Sequence, residues 1–67
     1  MTDKFTRWLK GRLAEKGLSQ SYVAEILNLK QQAVSYKMKH GVFTLAEVIL
    51  IFRKLNADDE TILKVMR

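Results

Sequence analysis

Four residues of the types that commonly end helices divide this chain into five short segments. They are the glycines and asparagines that most readily adopt left-handed backbone: Gly17, Asn28, Gly41 and Asn56. Within the segments, apolar residues recur three or four positions apart, which places them on one face of a helix. The chain has 67 residues and no cysteine, so one hydrophobic core must hold these helices together without disulfides. We therefore predict a compact, all-α, five-helix single domain over residues 1–67.

Local signals predict where the helices begin and end. The predicted helices span residues 3–16, 20–27, about 30–39, 45–56 and a short segment after Asp58. Thr44 and Glu47 have the spacing of a capping box, so the fourth helix is expected to begin at Leu45. The apolar run at residues 48–52 would also suit a buried strand, but the capping box before it favours a helix.

Large apolar side chains are expected to fill the core. The aromatic members are Phe5, Trp8, Phe43 and Phe52, and the predicted stripe on the fourth helix is Leu45, Val48, Ile49, Phe52 and Leu55. Leu50 or Ile51 is then left over, and the last helix carries more apolar residues than one core needs. This surplus predicts a two-fold dimer patch formed by Leu50, Ile51, Ile62, Val65 and Met66. The alternative is that a small core uses all of these residues.

Positive charge is concentrated in the first two-thirds of the chain. Residues 1–41 hold eight lysines and arginines against three acidic residues, whereas residues 42–67 hold four of each. Such an excess indicates a polyanionic partner. The alternative is a basic surface that serves only solubility.

Residue types that catalysis or metal binding requires are scarce. His40 is the only histidine, cysteine is absent, and no glycine-rich phosphate loop occurs. We expect no enzymatic activity, no metal or cofactor, and no small-molecule ligand. No apolar run is long enough for a transmembrane helix and no signal-peptide core is present, so the expected location is the cytoplasm.

The segment from residue 18 to residue 41 carries the strongest functional signal. Two short helices are joined by a tight turn at Asn28, and the second helix begins with Gln31 and Gln32. A helix fits the DNA major groove, where residues near its N-terminus reach deepest. Because a glutamine amide offers one donor and one acceptor, it matches adenine N6 and N7, which makes this pair candidate base readers.

This segment resembles the Cro/C1-type helix-turn-helix family of phage repressors and related small regulators. LSQSYVA at residues 18–24 is similar to the family's opening signature, and QQAVS at residues 31–35 is similar to the start of its recognition helix. The resemblance implies a lambda-repressor-like fold, with a helix-turn-helix at about 19–39. It also implies a transcriptional regulator of phage or mobile-element origin that represses by occluding a promoter.

The resemblance assigns roles to individual positions. The implied base contacts are Gln31, Gln32, Ser35 and Tyr36, and the implied phosphate contacts are Gln20, Lys30, Lys39 and His40. Gln20 would in addition brace the recognition helix. For Tyr36 the residues themselves leave partial packing open as an equal alternative.

Four positions depart from the family pattern. Asn28 replaces the usual glycine of the turn, and Lys37 stands where an apolar residue is more common. Many members bury an ion pair at the positions of Leu13 and Met38. Joint replacement of both partners by apolar residues is physically sensible, because it leaves no buried charge without its partner.

The implied partner is double-stranded DNA, with a homodimer on a pseudo-palindromic operator. A protein-interaction role, such as the antitoxin of a toxin–antitoxin pair, is the alternative. Non-specific nucleic-acid binding, as in an architectural protein, is disfavoured, because the aromatic residues are expected in the core and not on a base-stacking surface.

Overall fold

The computed structural model describes residues 3–67 as five α-helices, with no strand among these residues. The helices are α1 (Asp3–Lys16), α2 (Gln20–Leu27), α3 (Gln31–His40), α4 (Leu45–Lys54) and α5 (Asp59–Met66). Helix α2 packs on α3 and α4, and α1 packs on α5, within dimensions of 30 × 25 × 18 Å. None of the five combines the length and the hydropathy that crossing a bilayer requires. The prediction of a compact, all-helical chain is confirmed, although α3 lies one residue later than expected and α4 ends two residues earlier.

Left-handed residues end four of the helices, as the sequence pattern predicted. Their φ angles are 66° at Gly17, 54° at Asn28, 63° at Gly41 and 55° at Asn56. At Asn28 the backbone amide donates to the Glu25 carbonyl at 3.2 Å, and the next amide, of Leu29, donates to Ala24 at 3.0 Å. These two bonds satisfy carbonyls that the end of a helix leaves open. The chain thus turns from α2 into α3 within three residues.

Side chains cap the starts of α4 and α5. The Thr44 hydroxyl accepts from the Glu47 amide at 3.2 Å, and the Thr44 amide donates to the Glu47 carboxylate at 2.8 Å, which confirms the capping box. Asp58 accepts from the Thr61 amide at 2.7 Å, and hydrogen bonding with Thr61 lowers the pKa of the Asp58 carboxyl. At α2, Ser19 occupies the N-cap position, but its hydroxyl lies 2.9 Å from that of Ser21 and caps no amide.

An aromatic cluster occupies the centre of the core. The Phe5 ring meets Phe43 and Phe52 edge-on, with centroids 5.3 and 5.2 Å apart. Trp8 lies 5.0 Å from Phe52 and remains partly exposed. Because Phe43 lies in the link between α3 and α4, this cluster joins α1 to both of those helices. The prediction that these aromatics form the core is confirmed for Phe5, Phe43 and Phe52, whereas Trp8 packs against the core and is only partly buried.

Helix α4 turns a different face inward from the one predicted. Ile51 is fully buried, whereas Ile49 is 48% exposed and Leu45 is 66% exposed. The run from 48 to 52 is apolar on every side, so two rotations of the helix satisfy helical spacing equally well. The inward set is Val48, Ile51, Phe52 and Leu55.

The predicted dimer patch is wrong at Ile51, while dimerisation itself stays a prediction. Ile51 cannot belong to it, because no part of its side chain reaches the surface. Ile62 and Val65 are partly buried and pack against the core, and Leu50 is also partly buried. Of the five predicted members, only Met66 is classed as exposed, at 50%.

The orientation of α4 predicts losses of stability of different size when either of two isoleucines, two residues apart, is replaced by alanine. Ile51→Ala should lower the free energy of unfolding by about 2–5 kcal/mol, because it leaves a cavity in the core. Ile49→Ala removes the same atoms from a half-exposed site and should cost less than about 1 kcal/mol. Urea unfolding followed by circular dichroism measures both. Equal losses of stability would contradict an orientation of α4 that buries Ile51 and exposes Ile49.

Candidate nucleic-acid interface

The outward face of α3 carries the residues that the sequence singled out. Gln31, Gln32 and Ser35 are exposed, and Tyr36 is 60% exposed. The opposite face is held in the core by Val34 and Met38, which are 0% and 4% exposed. All four predicted base readers therefore reach solvent from a helix whose other side is fixed. Their contact with DNA stays a prediction.

The first turn of α3 is open at its positive end. Lys30 stands at the N-cap with extended backbone, and its side chain caps no amide of the turn. The Lys30 carbonyl accepts from the Ala33 and Val34 amides, at 3.0 and 3.3 Å, which starts the helix. A helix N-terminus without an acidic cap favours an anion, and the exposed Lys30 ammonium adds to that field.

A hydrogen bond between side chains connects the two helices on this face. The Ser35 hydroxyl donates to the Gln20 amide oxygen at 2.9 Å. Gln20 thus braces α3, as the resemblance implied, and its amide nitrogen retains two N–H donors. Ser35 has given its only proton to this bond, so it can offer a base only its acceptor lone pairs.

The far end of α3 presents an aromatic pair, Tyr36 and His40, beside Lys39. The Tyr36 and His40 rings lie one turn apart, with centroids 4.4 Å apart and an angle of 46°. Tyr36 packs against this neighbour, and this packing leaves most of its side chain open to solvent. Lys39 and His40 are both exposed immediately before Gly41.

Lys37 forms an ion pair across the junction between α3 and α4. Its ammonium lies 3.0 Å from the Glu47 carboxylate oxygen that also accepts from the Thr44 amide. Both charged side chains are about one-fifth exposed. The capping box revealed Glu47, but nothing local in the sequence indicated that Lys37 would reach it. This ion pair fixes the end of α3 against the start of α4.

Leu13 and Met38, which the resemblance aligns with a buried ion pair of Cro/C1-type proteins, are both 4% exposed in the core. At these two positions, the described part of the chain therefore buries apolar side chains and no charged group. Arg12, beside Leu13, instead donates to the Leu55 carbonyl at 3.4 Å and to Glu15 at 3.4 Å. Among residues 3–67, no group of three His, Asp or Glu side chains is arranged to hold a metal ion.

Glu47 couples this junction to pH. Partial burial acts to raise the pKa of its carboxyl, but hydrogen bonds from Thr44 and the charge and hydrogen bond of Lys37 outweigh it and lower the pKa below 4.5. A carboxyl whose pKa is lower when folded stabilises the fold above its unfolded pKa. That stabilisation is lost as the pH falls through the folded pKa.

Glu47→Gln should therefore destabilise the protein by about 1 kcal/mol at pH 7, because the amide keeps an acceptor for Thr44 but loses the charge that faces Lys37. The difference from the parent should shrink as the pH falls below about 4. Thermal unfolding between pH 3 and 7 measures this, with Glu25→Gln on the exposed side of α2 as a control of equal charge change. Identical pH profiles for both variants would contradict the role of the Lys37–Glu47 pair.

Comparison with known proteins assigns no family to this chain. A scan against protein-family models gives no match, and searches of curated proteins and of solved structures find no significant match either.

Proposed function

We propose that this chain is a sequence-specific DNA-binding regulator, a Cro/C1-like repressor of the kind that phages and mobile elements use. In this proposal α2 and α3 form a helix-turn-helix within a lambda-repressor-like fold, with Asn28 at its turn. The observation that carries it is the outward face of α3, where two adjacent glutamines stand at an uncapped helix start. The Gln20–Ser35 bond supports it by holding that face at a set angle to α2.

The proposed mechanism divides the contacts by chemistry. Gln31 and Gln32 read base edges in the major groove, and Tyr36 contacts a thymine methyl group or a phosphate. Ser35 serves mainly as the brace for Gln20 and only secondarily as an acceptor towards a base. Four residues would contact phosphates, namely Gln20, Lys30, Lys39 and His40, and the two lysines among them would release counterions. Binding over a promoter would then block transcription.

The proposal includes a homodimer on a pseudo-palindromic operator, formed through α4 and α5. Leu45 and Ile49 lie one turn apart on α4 and are exposed, and Leu63 on α5 is 65% exposed. A groove of about 330 Å³ beside Ile49 is bordered by Arg53 and Asp59. In a two-fold symmetric interface, a residue i of one copy that contacts residue j of the other copy is matched by the reverse contact, from j of the first copy to i of the second. Opposite charges on one border can therefore pair across the axis, which favours a second copy as the occupant.

The same apolar surface also supports the alternative of an antitoxin that binds a different protein. Pull-down of a partner from the source organism, set against a gel shift on the gene's own upstream DNA, separates the two functions. A stable complex with one other protein together with no gel shift would favour the alternative.

Base reading predicts a loss that depends on DNA sequence. With a site selected from random duplexes, Gln31→Ala or Gln32→Ala should cost about 1–3 kcal/mol of binding free energy on that site and little on random DNA. Fluorescence anisotropy on both duplexes at one salt concentration measures the difference. Equal losses on the two duplexes would contradict base reading, and no binding by the parent protein would overturn the function.

Dimerisation predicts a charge-swap rescue. Arg53→Asp should place like charges against Asp59 of the second copy and raise the dimer dissociation constant at least tenfold. The double variant R53D/D59R should restore most of the dimer, because the pair is recreated with its signs exchanged. Sedimentation equilibrium measures all three proteins. A dimer that R53D leaves unchanged would exclude this face as the interface.

A further inference from the structure

A second cationic surface lies beside α3 and is formed with α1. A groove of about 280 Å³ runs between the N-terminal half of α1 and the C-terminal end of α3. Arg7 and Lys10 of α1 border it together with Lys39 of α3, and the buried Met38 forms part of its wall. We call this the α1–α3 groove. The sequence did not connect Arg7 or Lys10 with Lys39, from which they are about thirty residues distant.

The three cations of the groove have no anionic partner within the described chain. The ion pairs among residues 3–67 join Arg12 to Glu15 and Lys37 to Glu47, and none involves Arg7, Lys10 or Lys39. Like charges gathered in one groove repel each other, so the arrangement favours an external anion.

One carboxylate also borders the groove. Asp3 lies over Gly41, so close that a Cβ added to that glycine would be 2.5 Å from an Asp3 carboxylate oxygen. Asp3 belongs to the first turn of α1, whose positive end offsets part of its charge. Three cations against one carboxylate leave the groove positive.

The groove continues the outward face of α3. Lys39 follows Gln32 by seven residues, which is two helical turns on one face and a rise of about 10 Å. The major groove is about 12 Å wide. If the start of α3 contacts base edges, its other end therefore comes close to a sugar–phosphate backbone at the wall of that groove.

We propose that the α1–α3 groove binds phosphate, and that its ligand is the DNA backbone flanking the bases that α3 reads, with Arg7 and Lys10 contacting it alongside Lys39. This inference rests on the proposed DNA-binding function for the identity of the ligand. It extends the footprint of the protein from the two helices of the helix-turn-helix to α1.

Salt dependence of DNA binding tests the inference. The variant R7A/K10A should flatten the slope of log K against log salt concentration by nearly two units, because each phosphate contact contributes about 0.9. If the variant and the parent bind equally well at 1 M salt, this difference in slope corresponds to a roughly 30-fold loss of affinity at 150 mM salt. The loss should be the same on selected and random duplexes. K54A/K64A removes the same charge from exposed lysines of α4 and α5 and is the matched control. Asp3→Asn should act in the opposite direction and tighten binding.

A single neutral methylphosphonate in the duplex locates the contact. When it is placed at successive positions along the backbone beside the selected site, it should weaken binding by the parent protein at one or two positions. At those positions it should not further weaken binding by R7A/K10A. If the selected duplex binds but R7A/K10A matches the control in slope and affinity, the inference is overturned while the proposed function stands.

Titration with inorganic pyrophosphate, followed by ¹H–¹⁵N NMR, separates free phosphate from DNA as the ligand. Shifts at Arg7, Lys10 and Lys39 in a protein that binds no duplex would keep the phosphate site and overturn the DNA function together with the assignment of its ligand. If the protein shows no such shifts and binds no duplex, both the phosphate site and the proposed DNA-binding function are overturned.

Discussion

The edge-to-face packing of Phe5 against Phe43 and Phe52 is the interaction on which the arrangement of the helices depends. The Phe5 ring centroid lies 5.3 Å from that of Phe43 and 5.2 Å from that of Phe52, and the Trp8 ring centroid lies 5.0 Å from that of Phe52. The cluster brings together α1, the link after α3, and α4. A 67-residue chain without cysteine gains its stability from such burial. Both the outward face of α3 and the α1–α3 groove owe their positions to it.

The face that we propose for DNA is fixed at successive turns of α3. Val34 and Met38 anchor its inner side, Ser35 bonds to Gln20 of α2, and Lys37 pairs with Glu47 of α4. A surface whose supports already hold it in one position loses less conformational freedom on binding. This rigidity suits a helix that must place side chains against particular base edges.

Features that depend on residues close together in the chain could be predicted from the sequence, whereas features that depend on the packing of separate helices could not. The left-handed Asn28 and the Thr44–Glu47 capping box follow from residues within three positions of each other. The Lys37–Glu47 pair was missed, because its approach depends on the path of the chain through Gly41. Ile51 was wrongly placed on the surface, because the apolar run around it presents no polar side to indicate which face turns outward.

The sequence by itself determined five helices, where they end, and which residues of α3 face away from its apolar stripe. Caps and left-handed residues act over one turn, so they work in the same way in any surroundings. Only the tertiary structure decided the rotation of α4, the partners of Lys37 and Gln20, and the meeting of Arg7 and Lys10 with Lys39. These depend on how separate helices pack, and packing is set by the joint shape of side chains far apart in the chain.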